Sequence, residues 1–341
     1  MSTTDHRHAY LSDVRPSPFA VPARVVVNEV GPRDGLQLEE VEFPTASKIA
    51  VVDALSRTGL QRIQVTSFVR PDAVPQLADA DAVMAGIERV PGVAYTVLVP
   101  NLRGAQRALP LQADGWDLML SCTDSHSTAN ANKPTAQALA ALEPVVELAG
   151  EHGVELTAGV ATSLGCPFEG RVPYSRVLQV AGRLHEMGVR RMALCDTVGV
   201  ADPALVHDVC SRLRADLPDV VVTLHLHDTR NLALANVLTG MAAGVTEFDA
   251  SVGGLGGCPF APGASGNVAT EDLVHMLSLL GVETGVDLDA VVGIARDLVA
   301  PLVDHPLESS LSRSGPSWTV HVPPLRQELP DPSTQLTGAA R

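Results

Sequence analysis

The sequence predicts an α/β protein built as a (β/α)₈ TIM barrel, and three observations support that prediction. Eight short apolar runs rich in Val, Leu and Ala recur along the chain. Longer amphipathic segments separate successive runs, and no two runs are joined by a tight hairpin turn. Strands linked by helical crossovers pair in parallel, and eight such units most simply close into a barrel. An open, doubly wound sheet is the competing arrangement.

The eight apolar runs are the predicted strands. They occupy residues 24–30, 62–68, 93–99, 116–122, 154–160, 190–196, 220–227 and 245–251. Aromatic residues make up only 3% of the chain, so the core around these strands is expected to be aliphatic.

The segments between the runs have a helical pattern. The clearest ones span residues 46–56, 135–149, 175–186, 203–215 and 232–243. A glycine follows four of the predicted helices, at Gly59, Gly153, Gly188 and Gly244. Glycine is favoured where a helix ends in a left-handed backbone conformation, so these positions mark the predicted helix ends.

The two ends of the chain differ in composition from the middle. Residues 1–22 are polar and are expected to form a flexible N-terminal arm, and residues 305–341 are rich in Pro and Ser. The latter predict a C-terminal tail that is disordered or covers another surface. Residues 23–304 are left as one barrel domain of ordinary size.

Charge and cysteine content exclude several classes of function. The formal net charge is −15, from 39 acidic and 24 basic residues, so neither nucleic acid nor an anionic membrane surface is an expected partner. No apolar run reaches the length of a membrane span, and the N-terminus has no apolar secretory segment. Five scattered cysteines without a CxxC motif indicate reduced thiols and a cytoplasmic location.

Polar side chains cluster where the predicted strands end, which is the functional face of such a barrel. His225 and His227 lie two positions apart on strand seven, so they share a face. If that face is inward, the two imidazoles with Asp34 and Asn267 would suit Mg²⁺, Mn²⁺ or Zn²⁺. Each residue also has an ordinary explanation: a structural histidine pair, a turn residue before a glycine, or a helix cap.

Other strand ends contribute further candidates, and a glycine-rich segment follows strand eight. The candidates are Arg33, Gln37, Gln64, Ser67, Asp196, Thr197 and Arg230. The segment 252–267, "VGGLGGCPFAPGASGN", has the composition of a mobile lid and carries Cys258. A lone thiol there is either an ordinary small residue or a proton donor.

Several of these segments closely resemble one known family. "EVGPRDGLQ", "LGCPFEG", "CDTVGVADP", "HLHDT" and "SVGGLGGCPFAPGASGNVATEDLVHML" are similar to the 3-hydroxy-3-methylglutaryl-CoA lyase family of metal-dependent lyases and condensing enzymes. The resemblance covers residues 24 to about 300. It implies that Asp34, His225, His227 and Asn267 bind the divalent metal.

The resemblance also implies a reaction and roles for individual residues. The reaction is cleavage of a C–C bond in a 3-hydroxy-3-methylglutaryl-CoA-like substrate to acetyl-CoA and acetoacetate. Arg33 would stabilise the enolate oxygen, Cys258 would transfer a proton, and His225 near Asp196 would take the hydroxyl proton. The expected substrate contacts are Arg33, Gln37, Gln64, Ser67, Thr197 and Arg230. Such enzymes tend toward homodimers, so a homodimer is expected.

The chain departs from the family pattern near the expected substrate. Gln64 stands where the family carries Glu, Glu39 and Glu40 replace a usual Lys region, and Lys133 stands alone where a Lys-Lys-Asn run is usual. Fewer positive charges there would weaken the binding of a CoA phosphate. Two alternatives therefore stay open: a related aldolase or Claisen-type condensing enzyme acting on another hydroxy or oxo acid, and a metal-binding barrel that has lost catalysis.

Overall fold

The computed structural model describes residues 10–12, 17–257 and 266–319, and its centre is a closed barrel of eight parallel strands in sequential order. The open-sheet alternative is therefore wrong, because β1 pairs with both β2 and β8. The strands are β1 Val26–Glu29, β2 Arg62–Ser67, β3 Ala94–Leu98, β4 Gly115–Ser121, β5 Glu155–Ala161, β6 Arg191–Asp196, β7 Val221–Leu226 and β8 Glu247–Ala250. All eight predicted runs are confirmed.

Helices connect and surround these strands. They are α1 Thr45–Leu55, α2 Ala80–Gly86, α3 Leu102–Ala108, α4 Asp124–Ala131, α5 Thr135–His152, α6 Tyr174–Glu186, α7 Pro203–Asp216, α8 Ala233–Ala242, α9 Thr270–Leu279, α10 Leu288–Ile294 and α11 Ser310–Ser314. The five helices predicted from the pattern are all present. The four predicted terminal glycines have positive φ, as at Gly153 with φ of 67°, where α5 ends. Among the described residues, no helix is both long and apolar enough to cross a bilayer.

The strand register brings polar side chains of neighbouring strands to one level of the barrel. Asn28 on β1 is paired with Asp249 on β8, and Asp249 is paired in turn with His225 on β7. Cys195 on β6 lies beside His225. Side chains of paired residues on the same face are close enough to bond. This register therefore sets the hydrogen bonds beneath the candidate site.

The hydrophobic core is aliphatic with a few large aromatic side chains. Trp116, Tyr95 and Phe248 are the largest fully buried ones. Cysteines at four positions are also buried and free of disulfides, namely Cys122, Cys166, Cys195 and Cys210.

The C-terminal segment remains packed on the barrel well beyond residue 305. Leu307, Leu311 and Trp318 are all buried. Asp272 of α9 accepts hydrogen bonds from the backbone N–H groups of Ser310 and Leu311, which begin α11. The described part of the predicted tail, up to residue 319, thus covers part of the barrel surface. Residues 320–341 lie outside the described residues.

Candidate active site and metal centre

Three of the four predicted metal ligands converge at the rim of the barrel. Ligand atoms of Asp34, His225 and His227 all lie within 4.8 Å of one another. The two imidazole Nε2 atoms are 3.3 Å apart, and Nε2 of His225 is 3.8 Å from Oδ2 of Asp34. Both histidines therefore face inward, as the alternation of side chains on strand seven allows.

Local backbone structure places these ligands. Asp34 belongs to a helical turn, Gly31–Gly35, that follows β1 directly, and its N–H donates to the carbonyl of Val30. His227 follows the last residue of β7 and forms a bridge with Asn267. The turn after β1 and the end of β7, which are far apart in sequence, are thus fixed on either side of the candidate metal position.

Asn267 is the fourth predicted ligand, and it joins the group through Asp34. Its Nδ2 donates to Oδ2 of Asp34 at 2.8 Å and to the carbonyl of Leu255 at 3.2 Å. Its Oδ1 is buried and, within the described part of the chain, has no hydrogen-bond partner. The cap alternative is wrong, since α9 begins three residues later with Ala269 as its N-cap. A buried oxygen without a partner beside two imidazoles and a carboxylate fits a divalent cation.

The charges of the group are strongly coupled. Burial alone would raise the pKa of Asp34, but Arg33 and the two histidines outweigh it and hold that pKa well below the usual value. Burial and the neighbouring His225 lower the pKa of His227 to about 4. For His225, burial is outweighed by Asp249 and Asp34, so its pKa is raised. A neutral His227 and an ionised Asp34 are the forms that bind metals.

Asp249 is a residue that the sequence analysis missed. Its Oδ2 lies 3.1 Å from Nδ1 of His225, and its Oδ1 accepts a hydrogen bond from Asn28 at 3.0 Å. A carboxylate on the far nitrogen of a ligating histidine fixes its tautomer and orientation. The signal was present in "TEFDAS", where Glu247 and Asp249 lie two positions apart and therefore share one face of a short strand.

Arg33 is almost fully buried beside the ligands. Its Nη1 donates to Oδ1 of Asp34 at 2.6 Å and to Oε1 of Gln37 at 3.4 Å, and its Nε donates to Oε1 of Gln64. Within the described residues Nη2 has no hydrogen-bond partner. The predicted candidates Arg33, Gln37 and Gln64 thus form one connected group, with a guanidinium donor left for a ligand.

Asp196, which was predicted near His225, lies close enough for that imidazole to act on its charge, and it also bonds to a backbone turn. Its two carboxylate oxygens accept hydrogen bonds from the backbone N–H groups of Val200 and Ala201, both at 2.9 Å. Burial raises its pKa. The hydrogen-bonded carboxylate partner of His225 is Asp249 and not Asp196, because the strand register sets β8 beside β7 at that level.

The remaining predicted substrate contacts are spread around the rim. Thr197 accepts a hydrogen bond from the N–H of Thr162, while Ser67 at the end of β2 has a buried hydroxyl without a partner among the described residues. Arg230 donates to the carbonyls of Val198 and Gly199, at 3.1 and 2.8 Å. Cys258 lies outside the described residues.

Two fully buried glutamates connect the rim loops, and the sequence analysis missed both. Glu29 accepts from the N–H groups of Gly31 and Val252 and from the hydroxyl of Thr270. Glu271 accepts from the N–H of Gly253 with both oxygens. Burial raises the pKa of Glu29 to about 7 and that of Glu271 to about 8. These carboxyls join the turn that carries Asp34 to the first residues of the glycine-rich segment.

Comparison with known proteins finds close relatives over the whole barrel. Residues 24–298 match the HMGL-like family. A hydroxymethylglutaryl-CoA lyase of Bacillus subtilis is 44% identical over 275 residues, which is 81% of this chain and 92% of the relative. The cytoplasmic 3-hydroxy-3-methylglutaryl-CoA lyase of Rattus norvegicus is 42% identical over 86% of this chain and 85% of the relative. The structure of an HMG-CoA lyase from Acinetobacter baumannii with coenzyme A and 3-methylmalate superposes with a TM-score of 0.84 at 41% identity, covering 88% and 97% of the two chains.

Proposed function

The chain belongs to the HMGL-like family of hydroxymethylglutaryl-CoA lyases, and on that premise we propose that it is a divalent-metal-dependent C–C lyase. Its substrate is 3-hydroxy-3-methylglutaryl-CoA, and the products are acetyl-CoA and acetoacetate. The observation that carries the proposal is the rim group itself: Asp34, His225 and His227 within bonding reach of one ion, with Arg33 bonded to Asp34.

Mg²⁺ or Mn²⁺ is the proposed cofactor, and Zn²⁺ also suits this donor set. Asp34, His225, His227 and the unpartnered Oδ1 of Asn267 would hold it. When bound, such an ion lowers the pKa of a coordinated hydroxyl and orients the substrate. The protein contributes the rigid placement of the ligands, since each is attached to a strand end or a hydrogen-bonded turn.

Arg33 is the proposed catalytic cation. Breaking the C–C bond leaves the thioester fragment as an enolate, whose oxygen gains negative charge as the bond breaks. A guanidinium that is buried and already fixed by Asp34 and Gln64 stabilises that charge without rearranging. Its free Nη2 supplies the donor.

Proton transfer is assigned to two different groups. His225 uses Nδ1 for Asp249, so only its Nε2 faces the site, and one nitrogen cannot bind a metal and accept a proton together. We therefore assign His225 to ligand binding, and we propose Asp196, whose carboxylate also orders the turn at 199–201, as the base that takes the hydroxyl proton. Cys258 is proposed as the donor that protonates the enolate carbon.

Gln37, Gln64, Ser67, Thr197 and Arg230 are the proposed substrate contacts around this centre. Ser67 supports this role best, because a buried hydroxyl without a partner is costly unless a ligand satisfies it. The printed description of the Acinetobacter baumannii structure, with coenzyme A and 3-methylmalate, supports an acyl-CoA as the bound class.

The test is an acetoacetate assay with purified protein, 3-hydroxy-3-methylglutaryl-CoA and Mg²⁺ or Mn²⁺, repeated after chelation. We expect acetoacetate that disappears with chelator and returns with metal. Thermal melting with and without metal is measured in parallel, because an ion that binds only the folded state raises the melting temperature. Turnover that persists without metal would contradict the proposal.

A second substrate class follows from residues on the rim. Glu39 bonds to His305 and Lys133 is exposed, so this face presents little fixed positive charge to a CoA phosphate. Free hydroxy and oxo acids are therefore assayed in parallel, in both the cleavage and the condensation direction. Turnover confined to them would assign a related aldolase or condensing activity, and metal-dependent stabilisation without turnover would assign a barrel that binds metal only.

A cytoplasmic location and a homodimer complete the proposal. The rat relative is named as cytoplasmic, although other relatives are named as mitochondrial. Fractionation and sedimentation measurements test the two statements directly.

A further inference from the structure

Gln64 connects the active-site arginine to a carboxylate deeper in the barrel. Its Oε1 accepts a hydrogen bond from Nε of Arg33, and its Nε2 donates to Oδ2 of Asp117 at 2.6 Å. All three residues are buried. Asp117 lies on β4 and does not belong to the rim group.

Only one orientation of the Gln64 amide satisfies both neighbours. The guanidinium can only donate and an ionised carboxylate can only accept, whereas an amide has one end of each kind. If the amide turned over, its NH₂ would face Arg33 and its oxygen would face Asp117. Both contacts would then be repulsive, so the carboxylate keeps the Gln64 oxygen directed at Arg33.

Asp117 is itself fixed by neighbours from two other strands. Its Oδ2 accepts a hydrogen bond from the Thr96 hydroxyl at 2.6 Å, and its Oδ1 lies 3.6 Å from Nη2 of Arg62. Arg62 also pairs with Glu155 at the other end of the barrel. The carboxylate is therefore held in place independently of Gln64.

We propose that Asp117 is a positioning residue for the lyase reaction, and that it acts through the Gln64 amide to hold Arg33 in its catalytic orientation. This inference rests on the proposed function, because the effect on turnover requires the reaction in which Arg33 takes part. Asp117 touches neither the metal ligands nor the proposed substrate contacts other than Gln64.

Because the hydrogen-bond donor and acceptor at positions 64 and 117 can be exchanged, a double variant is predicted to restore what each single variant loses. Asp117→Asn places an NH₂ group against either Gln64 or Arg62, and each choice sets donor against donor. Gln64→Glu sets two carboxylates at the 2.6 Å contact. Together, Gln64→Glu and Asp117→Asn reverse the donor and acceptor while keeping the buried charge, and the Thr96 hydroxyl can accept where it now donates.

The experiment measures kcat, KM and Mn²⁺ affinity for the wild type, both single variants and the double variant. We expect each single variant to lose about 10- to 100-fold in kcat, the usual effect of losing a buried hydrogen bond to a charged group. The double variant should return to within about 3-fold of the wild type, because the two sites are coupled. Mn²⁺ affinity should stay unchanged in all of these variants.

Glu155→Gln is the matched control. It alters a contact of Arg62 without touching Gln64, so it should keep the wild-type kcat.

A second readout needs no substrate and separates this inference from the proposed function. The Nε–H of Arg33 is followed by NMR of ¹⁵N-arginine-labelled protein and is identified by its loss in Arg33→Lys. We expect slow exchange with solvent in the wild type and the double variant, and fast exchange in Asp117→Asn. Thr96→Val removes one hydrogen bond to Asp117 and should also speed the solvent exchange of the Arg33 Nε–H, but by less than Asp117→Asn.

Wild-type kcat and slow exchange in Asp117→Asn would overturn the inference. A folded double variant no better than the single variants would also overturn it. If the wild type cleaves no thioester, the exchange measurement still decides whether Asp117 positions Arg33.

Discussion

The imidazole of His225 lies between Asp249 and His227. Its Nδ1 is 3.1 Å from Oδ2 of Asp249, and its Nε2 is 3.3 Å from Nε2 of His227. An ionised carboxylate only accepts hydrogen bonds, so Nδ1 carries the proton and the lone pair of Nε2 faces the candidate metal position. The orientation of one ligand thus depends on a residue of the neighbouring strand β8.

Replacing Asp249 should therefore weaken metal binding. For Asp249→Leu we expect a loss of about 10- to 100-fold in Mn²⁺ affinity, measured by isothermal titration calorimetry, as is usual when the partner of a ligating histidine is removed. Asp249→Asn keeps an acceptor without the charge and should lose less. Asp216→Asn, which affects only a bond from the Tyr174 hydroxyl, is the control. Equal affinities for wild type and Asp249→Leu would contradict this role.

Removing the guanidinium of Arg33 should abolish most turnover. Arg33→Gln keeps a polar side chain but loses the cation next to the developing enolate, so kcat should fall by about 100- to 1000-fold. Steady-state kinetics at saturating metal measure the effect. The exposed Arg57→Gln, which breaks a surface pair with Glu88 and a bond to the carbonyl of Asp53, should leave kcat unchanged. Comparable kcat values for Arg33→Gln and wild type would exclude Arg33 as the catalytic cation.

The fold was predictable because its signals are local. Each strand is a short apolar run, and a glycine with positive φ ends several helices, as at Gly59 and Gly153. The convergence of the two histidines was also predictable, since alternation alone puts His225 and His227 on one face. Those patterns need no knowledge of which strand lies beside which.

The residues that the sequence analysis missed depend on register, which is a tertiary property. Asp249 meets His225 because the adjacent strands β7 and β8 pair these residues, and Asp117 of β4 meets Gln64 of β2 across the intervening strand β3. Glu29 and Glu271 were missed for a related reason, since their partners are backbone N–H groups of distant loops.

The buried carboxyl of Glu271 should make stability depend on pH. Its pKa is raised from 4.5 to about 8 by burial, so between these values the folded protein keeps a proton that the unfolded chain releases. The stabilising contribution is complete below pH 4.5 and is lost as pH rises toward 8, by up to about 1.4 kcal/mol per pH unit.

Glu271→Gln removes this dependence. The difference in unfolding free energy, variant minus wild type, should therefore rise from pH 5 to pH 8 and then level off, as measured by urea unfolding in chelator. Gln keeps one of the two oxygens that accept from Gly253, so the altered hydrogen bond adds only a constant offset. Glu29→Gln should behave alike but level off near pH 7, where the pKa of Glu29 lies. A difference that stays constant with pH would show that Glu271 has no raised pKa.

The segment after residue 305 should contribute to the stability of the barrel. Trp318 is 6% exposed, lies 5.3 Å from the ring of His275 and meets Tyr10 of the N-terminal arm at 6.4 Å. Leu311 of α11 is 7% exposed. Truncating either side chain to alanine should lower the unfolding free energy by about 2–5 kcal/mol, because apolar contact is lost and a cavity remains.

The control is Leu298→Ala, at a position 36% exposed, which should cost no more than about 0.5 kcal/mol. Urea unfolding followed by circular dichroism measures all three, since Trp318→Ala removes one of only two tryptophans and alters fluorescence. Costs for Leu311→Ala and Trp318→Ala as small as that of Leu298→Ala would show that this segment does not belong to the folded core.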